Sequence, residues 1–237
     1  MKRWGLFLFA GLTVLLAAQA TPEVEIGAEP HHQLILANDR VRVFAVDVPA
    51  HSETQMHWHR HDYVCVVLGV ATIISQVEGK QPENLSLSDG ETRFVSGSFA
   101  HMFRNLSGQP FRSVTIEVLD DQKLRQSPEH WDGAHPEEDR GLEVLNGGTK
   151  EILFVKDGVR VSEFDLQPGG VIPSTRHGGP HLVVALTDYE LRSNIKGTGP
   201  STIRMKRGES QWLAGGYASA MTNTGHEIAK FVTLEFR

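Results

Sequence analysis

The sequence predicts an all-β protein made of two copies of one sandwich or barrel domain. The first observation is a series of short segments rich in β-branched and aromatic residues, such as residues 41–48 and 113–118, separated by Gly, Pro, Asn and Asp. This pattern is typical of β-sandwiches and barrels. The second observation is that no long segment has the 3.6-residue period of an amphipathic helix. The third is an internal repeat.

The repeat relates the two halves of the chain at a constant spacing. Every matched position in the second half lies 118 residues after its partner in the first half. Unrelated β segments would need gaps to stay aligned, so a gap-free offset indicates a duplicated domain. We predict an N-terminal domain at residues 21–125, a linker at 126–147 and a C-terminal domain at 148–237. The matches include Val41 with Val159, Gly90 with Gly208, Asn105 with Asn223, and Glu117 with Glu235.

A candidate signal peptide covers residues 1–20. Lys2 and Arg3 precede an apolar run that ends in Ala-Gln-Ala at positions 18–20, which is the arrangement of a cleavable export signal. The run is shorter than the roughly 20 apolar residues that a membrane span needs. We therefore expect export to the periplasm or the medium, and no membrane attachment after cleavage.

Composition limits the partners and the stabilising bonds. Removal of the signal peptide leaves 21 basic against 29 acidic side chains, a net charge of −8, which makes nucleic acid or anionic membrane a poor partner. Cys65 is the only cysteine, so no internal disulfide can form even in an oxidising compartment. Stability is therefore expected to come from a packed core.

Two polar segments flank the predicted domain cores. Residues 21–32 are expected to form an arm, and the charged linker at 126–147 is interrupted by Pro and Gly, as connections between domains are. The linker also contains His130, Trp131 and His135. These residues leave open a second role as a lid over a site, although long loops more often only connect.

The stretch that carries the chemistry runs from residue 57 to residue 63. Alternate side chains of an extended chain point to one face, so three histidines and a tyrosine share a face if the strand is continuous. Two imidazoles at this spacing can share a cation, and neutral imidazole suits zinc, iron, copper or nickel. The alternative is a solvated patch, because the spacing alone is common. The four residues are His57, His59, His61 and Tyr63.

Two motifs in the N-terminal half resemble the paired motifs of the cupin superfamily. His57 and His59 match the first two ligands of the first motif, and His101 matches the ligand of the second motif, framed by Gly90 and Asn105. With the repeat, the chain after residue 20 resembles a bicupin. The resemblance implies tandem cupin-like barrels of the jelly-roll (double-stranded β-helix) type, with three histidines as metal ligands.

The sequence departs from the family pattern at two places. Tyr63 replaces the glutamate ligand, and Ser96-Gly97-Ser98 replaces the Pro-x-Gly turn. A phenol with a pKa of about 10 is a poorer ligand than a carboxylate, so we assign Tyr63 a catalytic role as a hydrogen-bond donor to metal-bound water, oxygen or substrate. The alternative is an aromatic residue that fills the barrel. His61 could replace the carboxylate or carry protons, and otherwise is expected to be exposed.

The second copy keeps only one of the three ligand positions. We therefore expect it to be structural and to cover the apolar outer face of the strand after Tyr63 in the first copy. A remnant site formed by two histidines is the alternative, although two imidazoles hold a metal weakly. At the positions equivalent to His57, His59, Tyr63 and His101, the second copy has Thr175, His177, His181 and Ser219.

Three histidine ligands leave coordination positions open, as a catalytic metal requires. The resemblance implies dioxygenase-like chemistry on a small organic molecule with one divalent transition metal, iron first, and manganese, nickel, copper or zinc as alternatives. A second hypothesis is a non-catalytic module that binds or senses a small carboxylate, a sugar or a metal ion. The substrate, the metal and the oligomeric state are left open.

Overall fold

A computed structural model describes residues 23–119, 141–156, 158–177, 179–195 and 198–236, without the side chains of residues 175–177. The predicted signal peptide and the linker residues His130, Trp131 and His135 lie outside these ranges. The described chain is almost entirely β-strand, with one 3-10 turn at Ile26–Ala28, so the all-β prediction is confirmed. In these ranges no helix has the length and apolar character needed to cross a membrane.

The N-terminal half forms two five-stranded sheets. Its strands are β1 (Val24–Glu25), β2 (His32–Ala37), β3 (Val41–Val48), β4 (His57–His59), β5 (Tyr63–Val67), β6 (Ala71–Val77), β7 (Glu83–Leu87), β8 (Thr92–Val95), β9 (Phe99–Asn105) and β10 (Phe111–Val118). One sheet has the order β1-β4-β9-β6-β7, and the other has the order β2-β3-β10-β5-β8. The inner faces of both sheets enclose an apolar cluster that includes Val46, Ile73 and Phe103.

The C-terminal half repeats this arrangement in one continuous sheet. Its strands are β11 (Gly141–Lys156), β12 (Val159–His177), β13 (His181–Ala185), β14 (Tyr189–Ile195), β15 (Gly199–Met205), β16 (Ser210–Leu213), β17 (Tyr217–Asn223) and β18 (Ala229–Phe236). The order is β15-β14-β17-β12-β18-β13-β16, and β11 pairs with β12. The sheet is continuous because β12 covers the positions equivalent to both β3 and β4.

Strand bounds and registers confirm the duplication. Strands β5, β6, β8, β9 and β10 begin and end 118 residues before β13, β14, β16, β17 and β18. The same offset holds in the ladders, where the pair Phe111↔Val48 becomes Ala229↔Leu166. The two halves are therefore the tandem barrels that the sequence predicts.

A shared apolar layer joins the two barrels. Val64 and Val66 on the outer face of β5 belong to the same buried cluster as Leu182 and Val184 on the equivalent face of β13. Each face would expose a row of branched side chains to water if it stood alone, and burial of such side chains stabilises the pair. The expected covering of β5 by the second copy is thus observed.

Two predicted boundaries differ from the structure. Residues 23–32 do not form a loose arm, because β1 pairs with β4 in parallel and Ile26, Glu29 and His32 are buried. Strand β11 begins at Gly141, inside the predicted linker, where it extends along β12. Backbone pairing does not require buried side chains, and the first four residues of β11 are exposed, Leu142 and Val144 included.

Candidate metal centre

Three histidine side chains meet inside the N-terminal barrel. His57 and His59 lie at the two ends of β4, and His101 lies on β9 directly opposite His57 in the antiparallel ladder. Because side chains alternate along a strand, all three project to the same face. One ligand nitrogen from each ring lies within 4.8 Å of the other two. Strand pairing thus brings together the three residues that the sequence singles out as ligands.

The donor set fits a metal ion. Nδ1 of His57 donates to the carbonyl oxygen of Gln55 at 2.9 Å, so Nε2 carries the lone pair. Within the described ranges, Nε2 of His57, Nδ1 of His59 and Nε2 of His101 are buried and have no hydrogen-bond partner. Buried polar atoms without partners are costly. A divalent cation that accepted these lone pairs would remove that cost.

Burial also keeps the three imidazoles in their ligating form. Desolvation lowers the pKa of His57 to about 3, and the neighbouring His32 and His59 add to the effect. Burial likewise lowers the pKa of His59, against the opposing pull of Glu117. The pKa of His101 lies well below its usual range for the same reason, with repulsion from His57 and His59. All three rings are therefore neutral near neutral pH, which metal binding requires.

Tyr63, the predicted catalytic residue, is in contact with the cluster. Its ring stacks on that of His59, with 4.0 Å between the centroids, and the residue is buried. Desolvation, with nearby Cys65 and Glu117, raises the pKa of Tyr63 above its usual value. The phenol therefore stays protonated and can donate a hydrogen bond into the site.

A carboxylate that the sequence motifs do not mark also reaches the site. Glu117 of β10 is paired in register with Tyr63 of β5 and is fully buried. Its Oε2 accepts a hydrogen bond from Nη2 of Arg42 at 2.6 Å, and its Oε1 lies 3.6 Å from Nδ1 of His59. The only sequence signal for it is a charged residue on the inward face of an otherwise apolar strand.

A second carboxylate holds the other side of the cluster. Glu29 accepts a 2.5 Å hydrogen bond from Nδ1 of His32, whose ring centroid lies 4.6 Å from that of His57. Glu29 also accepts from the backbone N–H of Gln55, the residue whose carbonyl fixes the His57 ring. This network was not predicted from the sequence, because residues 21–32 are polar and were expected to form an arm.

His61 lies outside the three-histidine cluster and is half-buried. The strand is not continuous at His61, because β4 ends at His59 and β5 begins at Tyr63. Alternation along one strand therefore does not place His61 on the face of His57 and His59. The break is fixed by Gly97, whose N–H donates to Oδ1 of Asp62. A Cβ at Gly97 would lie 2.2 Å from the His61 carbonyl oxygen, so a side chain at this position would collide with the backbone of the turn.

In the C-terminal barrel the equivalent positions form a different arrangement. Nε2 of His181 lies 3.3 Å from the hydroxyl of Tyr217, and Ser219, at the position of His101, is buried. The side chain of His177 lies outside the described part of the structure, so the remnant-site hypothesis stays a prediction. Among the described residues, the group that could hold a metal ion lies in the N-terminal barrel.

Solved structures of other proteins share this architecture at low sequence identity. No protein-family model and no curated protein matches the chain. AerE from Microcystis aeruginosa superposes with a TM-score of 0.60 at 10% identity, covering 88% of this chain and 93% of that one. Oxalate decarboxylase from Lactobacillus farciminis, solved as a formate complex, gives 0.60 at 10% identity over 84% and 78%. A mutant of the Bacillus subtilis oxalate decarboxylase OxdC gives 0.61 at 11% over 84% and 69%.

These similarities concern the fold. The chain has the all-β, tandem-barrel architecture of cupin proteins, as the motifs around His57 and His101 imply. At 10–11% identity, shared architecture carries no statement about the reaction, because one fold hosts many functions.

Proposed function

We propose that this chain is an exported bicupin that binds one divalent transition metal in its N-terminal barrel. His57, His59 and His101 would hold the ion. The observation that carries the proposal is the convergence of one ligand nitrogen from each of the three histidines within 4.8 Å, in rings that each have a buried nitrogen without a hydrogen-bond partner among the described residues. A satisfied core histidine would have its nitrogens hydrogen-bonded instead.

Iron is the first choice of metal, because neutral imidazoles suit it and the site leaves positions open. Manganese is the next candidate, since the Bacillus subtilis oxalate decarboxylase has Mn(II) centres on a related fold. Nickel, copper and zinc are the remaining candidates for a three-imidazole site.

The proposed activity is dioxygenase-like chemistry on a small organic molecule. A metal with open positions supplies Lewis acidity and a binding point for substrate. Tyr63 donates a hydrogen bond from a hydroxyl that its raised pKa keeps protonated. Oε1 of Glu117 lies 3.6 Å from the same Nδ1 of His59 that lacks a hydrogen-bond partner. Glu29 accepts a hydrogen bond from the Gln55 N–H, and the Gln55 carbonyl fixes the His57 ring. One buried carboxylate therefore lies beside the cluster, and the other supports one of its ligands.

A non-catalytic binding module is the second candidate. It is favoured by Tyr63, a buried phenol where the family has a carboxylate ligand. Such a module would hold a small carboxylate at the metal, or at the three histidines themselves, without converting it. The Lactobacillus oxalate decarboxylase was solved with formate, which makes formate and oxalate the first compounds to test.

The deciding experiment is elemental analysis of residues 21–237, purified without chelators. We expect about one equivalent of metal per chain, the ratio of a single three-histidine site, and its loss in a His57→Ala/His59→Ala variant. His181→Ala, a matched change in the second copy, should keep the metal. Oxygen consumption by the loaded protein separates the enzyme from the binding module. Equal metal in wild type and double variant would reject the site.

A further inference from the structure

The second barrel encloses a large cavity. Its volume is about 710 Å³, within the range of small-molecule sites. Its walls come from all eight strands of this half, β11 to β18. The cavity lies in the copy that has lost two of the three ligand positions, so the metal proposal does not account for it.

Differences at equivalent inward positions explain the space. Ser162, Ser219 and Met221 line the cavity, and the N-terminal copy has Phe44, His101 and Phe103 at the same three positions. Each exchange replaces a ring by a smaller or more flexible side chain. Protein interiors are normally close-packed, so space of this size at replaced positions indicates a ligand rather than a core.

The cavity wall changes from apolar to polar along two paired strands. The rungs of β12 with β18 are Phe164↔Phe231, then Ser162↔Thr233, then Arg160↔Glu235. The rings of Phe164 and Phe231 stack at 5.0 Å, and the ring of Tyr189 lies 5.4 Å from that of Phe231. One end therefore accommodates an apolar, ring-sized body, and the middle offers hydroxyl groups.

The charges that line the cavity balance. Lys150 and Arg160 are matched by Glu143 and Glu235. Nζ of Lys150 lies 3.8 Å from the carboxylate of Glu143, and Arg160 stands opposite Glu235 in the ladder. A charged ligand would be attracted by two of these side chains and repelled by the other two, so the contacts would not offset the cost of removing its hydration shell. The lining therefore favours an uncharged ligand.

We propose that the C-terminal barrel is a binding site for a small uncharged molecule with an aromatic-sized apolar body and one hydroxyl or carbonyl group. The apolar body packs against Phe164, Tyr189 and Phe231. The polar group forms hydrogen bonds at the level of Ser162 and Thr233. This site is separate from the three-histidine cluster and does not depend on it.

The test uses 1-naphthol as the neutral probe and 1-naphthoate as the anionic probe, titrated calorimetrically into the full purified protein. We expect one molecule of 1-naphthol per chain and affinity for 1-naphthoate weaker by about tenfold, since burying an unmatched carboxylate is costly. A rise in melting temperature with 1-naphthol provides a second readout. No binding of 1-naphthol, or equal affinity for both probes, would overturn the proposal.

Two variants locate the binding. Ser162→Phe and Met221→Phe each introduce the residue of the N-terminal copy and fill the cavity, and each should weaken 1-naphthol binding by about tenfold or more through steric exclusion. Thr202→Phe adds the same ring at an exposed position of β15 and should leave binding unchanged. If Ser162→Phe fails to fold, Met221→Phe decides, because Met221 is only half-buried. Wild-type affinity in a folded filling variant would reject the site.

Discussion

The two barrels share a framework and differ in their interiors. In both, an asparagine closes the same turn: Nδ2 of Asn105 donates to the Val48 and Gln109 carbonyls, and Nδ2 of Asn223 donates to the Leu166 and Glu227 carbonyls. Inside, one barrel holds a histidine cluster and the other a cavity of about 710 Å³. Strand pairing depends on backbone groups and turns, so inward side chains can change without moving the strands.

The copies also meet in a nearly symmetrical way. Asp89 forms an ion pair with Arg207, and these two residues occupy the same position in the two copies. A Cβ on Gly90 would contact Leu186 and one on Gly208 would contact Leu68, again at equivalent positions. Equivalent surfaces facing each other are the mark of a two-fold interface. The duplication thus places within one chain the type of contact found in a symmetric dimer.

The largest difference between the barrels should appear on acidification of the metal-free protein. Above pH 6.5 His57 is neutral whether the chain is folded or unfolded. As pH falls from 6.5 towards the folded-state pKa of about 3, the unfolded chain binds more protons and gains about 1.4 kcal/mol per pH unit. We expect His57 alone to cost about 2 kcal/mol of unfolding free energy between pH 7 and pH 5.

Denaturant unfolding of metal-free protein at both pH values measures this loss. His57→Gln should show a smaller pH dependence than wild type because the buried titrating group is gone. The matched control is His226→Gln, which removes an exposed imidazole of the second copy. Equal pH dependence in all three proteins would show that the cluster is not held neutral by burial.

The two asparagines that close the equivalent turns, Asn105 and Asn223, should contribute about equally to the free energy of unfolding. Asn105→Ala and Asn223→Ala each remove buried side-chain hydrogen bonds to backbone groups, and each should cost about 2–3 kcal/mol because carbonyls and an N–H lose their partner. Urea unfolding measures both. If only one of the two variants loses stability, the two asparagines do not have equivalent structural roles.

The equivalent carboxylates should differ in their effect on metal. Glu117→Gln keeps the shape but removes the negative charge beside Nδ1 of His59, so metal affinity should fall by about 10- to 100-fold, the loss typical of changes to groups around metal ligands. Glu235→Gln, at the same position in the second copy, should leave metal affinity unchanged. Competition with a chromogenic chelator measures both constants, and identical affinities would remove Glu117 from the site.

The smallest effect should come from the ion pair across the approximate two-fold axis. Arg207→Asp places two carboxylates opposite each other and should cost less than about 1 kcal/mol, since both side chains are partly exposed. The double exchange Asp89→Arg/Arg207→Asp should restore part of the lost stability, because it re-forms the ion pair but removes the hydrogen bonds of Asp89 with the Gly69 N–H and of Arg207 with the Leu186 carbonyl. Thermal unfolding at low and high salt checks this, because screening should weaken the effect. A double variant as unstable as the single one would argue against direct pairing.

The features that depend on local pattern could be predicted from the amino-acid sequence. The 118-residue offset, the strand segments and the shared face of His57 and His59 follow from composition, spacing and alternation along an extended chain. His101 was found because its motif frame, from Gly90 to Asn105, is also local. The signal peptide remains a prediction of the same kind, carried by residues 1–20.

Other features depend on which strands become neighbours in the folded chain, and these could not be predicted from the sequence. Glu117 reaches the cluster because β10 pairs with β5, and Glu29 supports it because β1 and the following turn lie against β4. The cavity exists because smaller side chains from several strands face one another around Ser162. Such encounters join residues far apart in sequence, and periodicity within one segment holds no information about them. A break of three residues after His59 was likewise enough to separate His61 from the cluster.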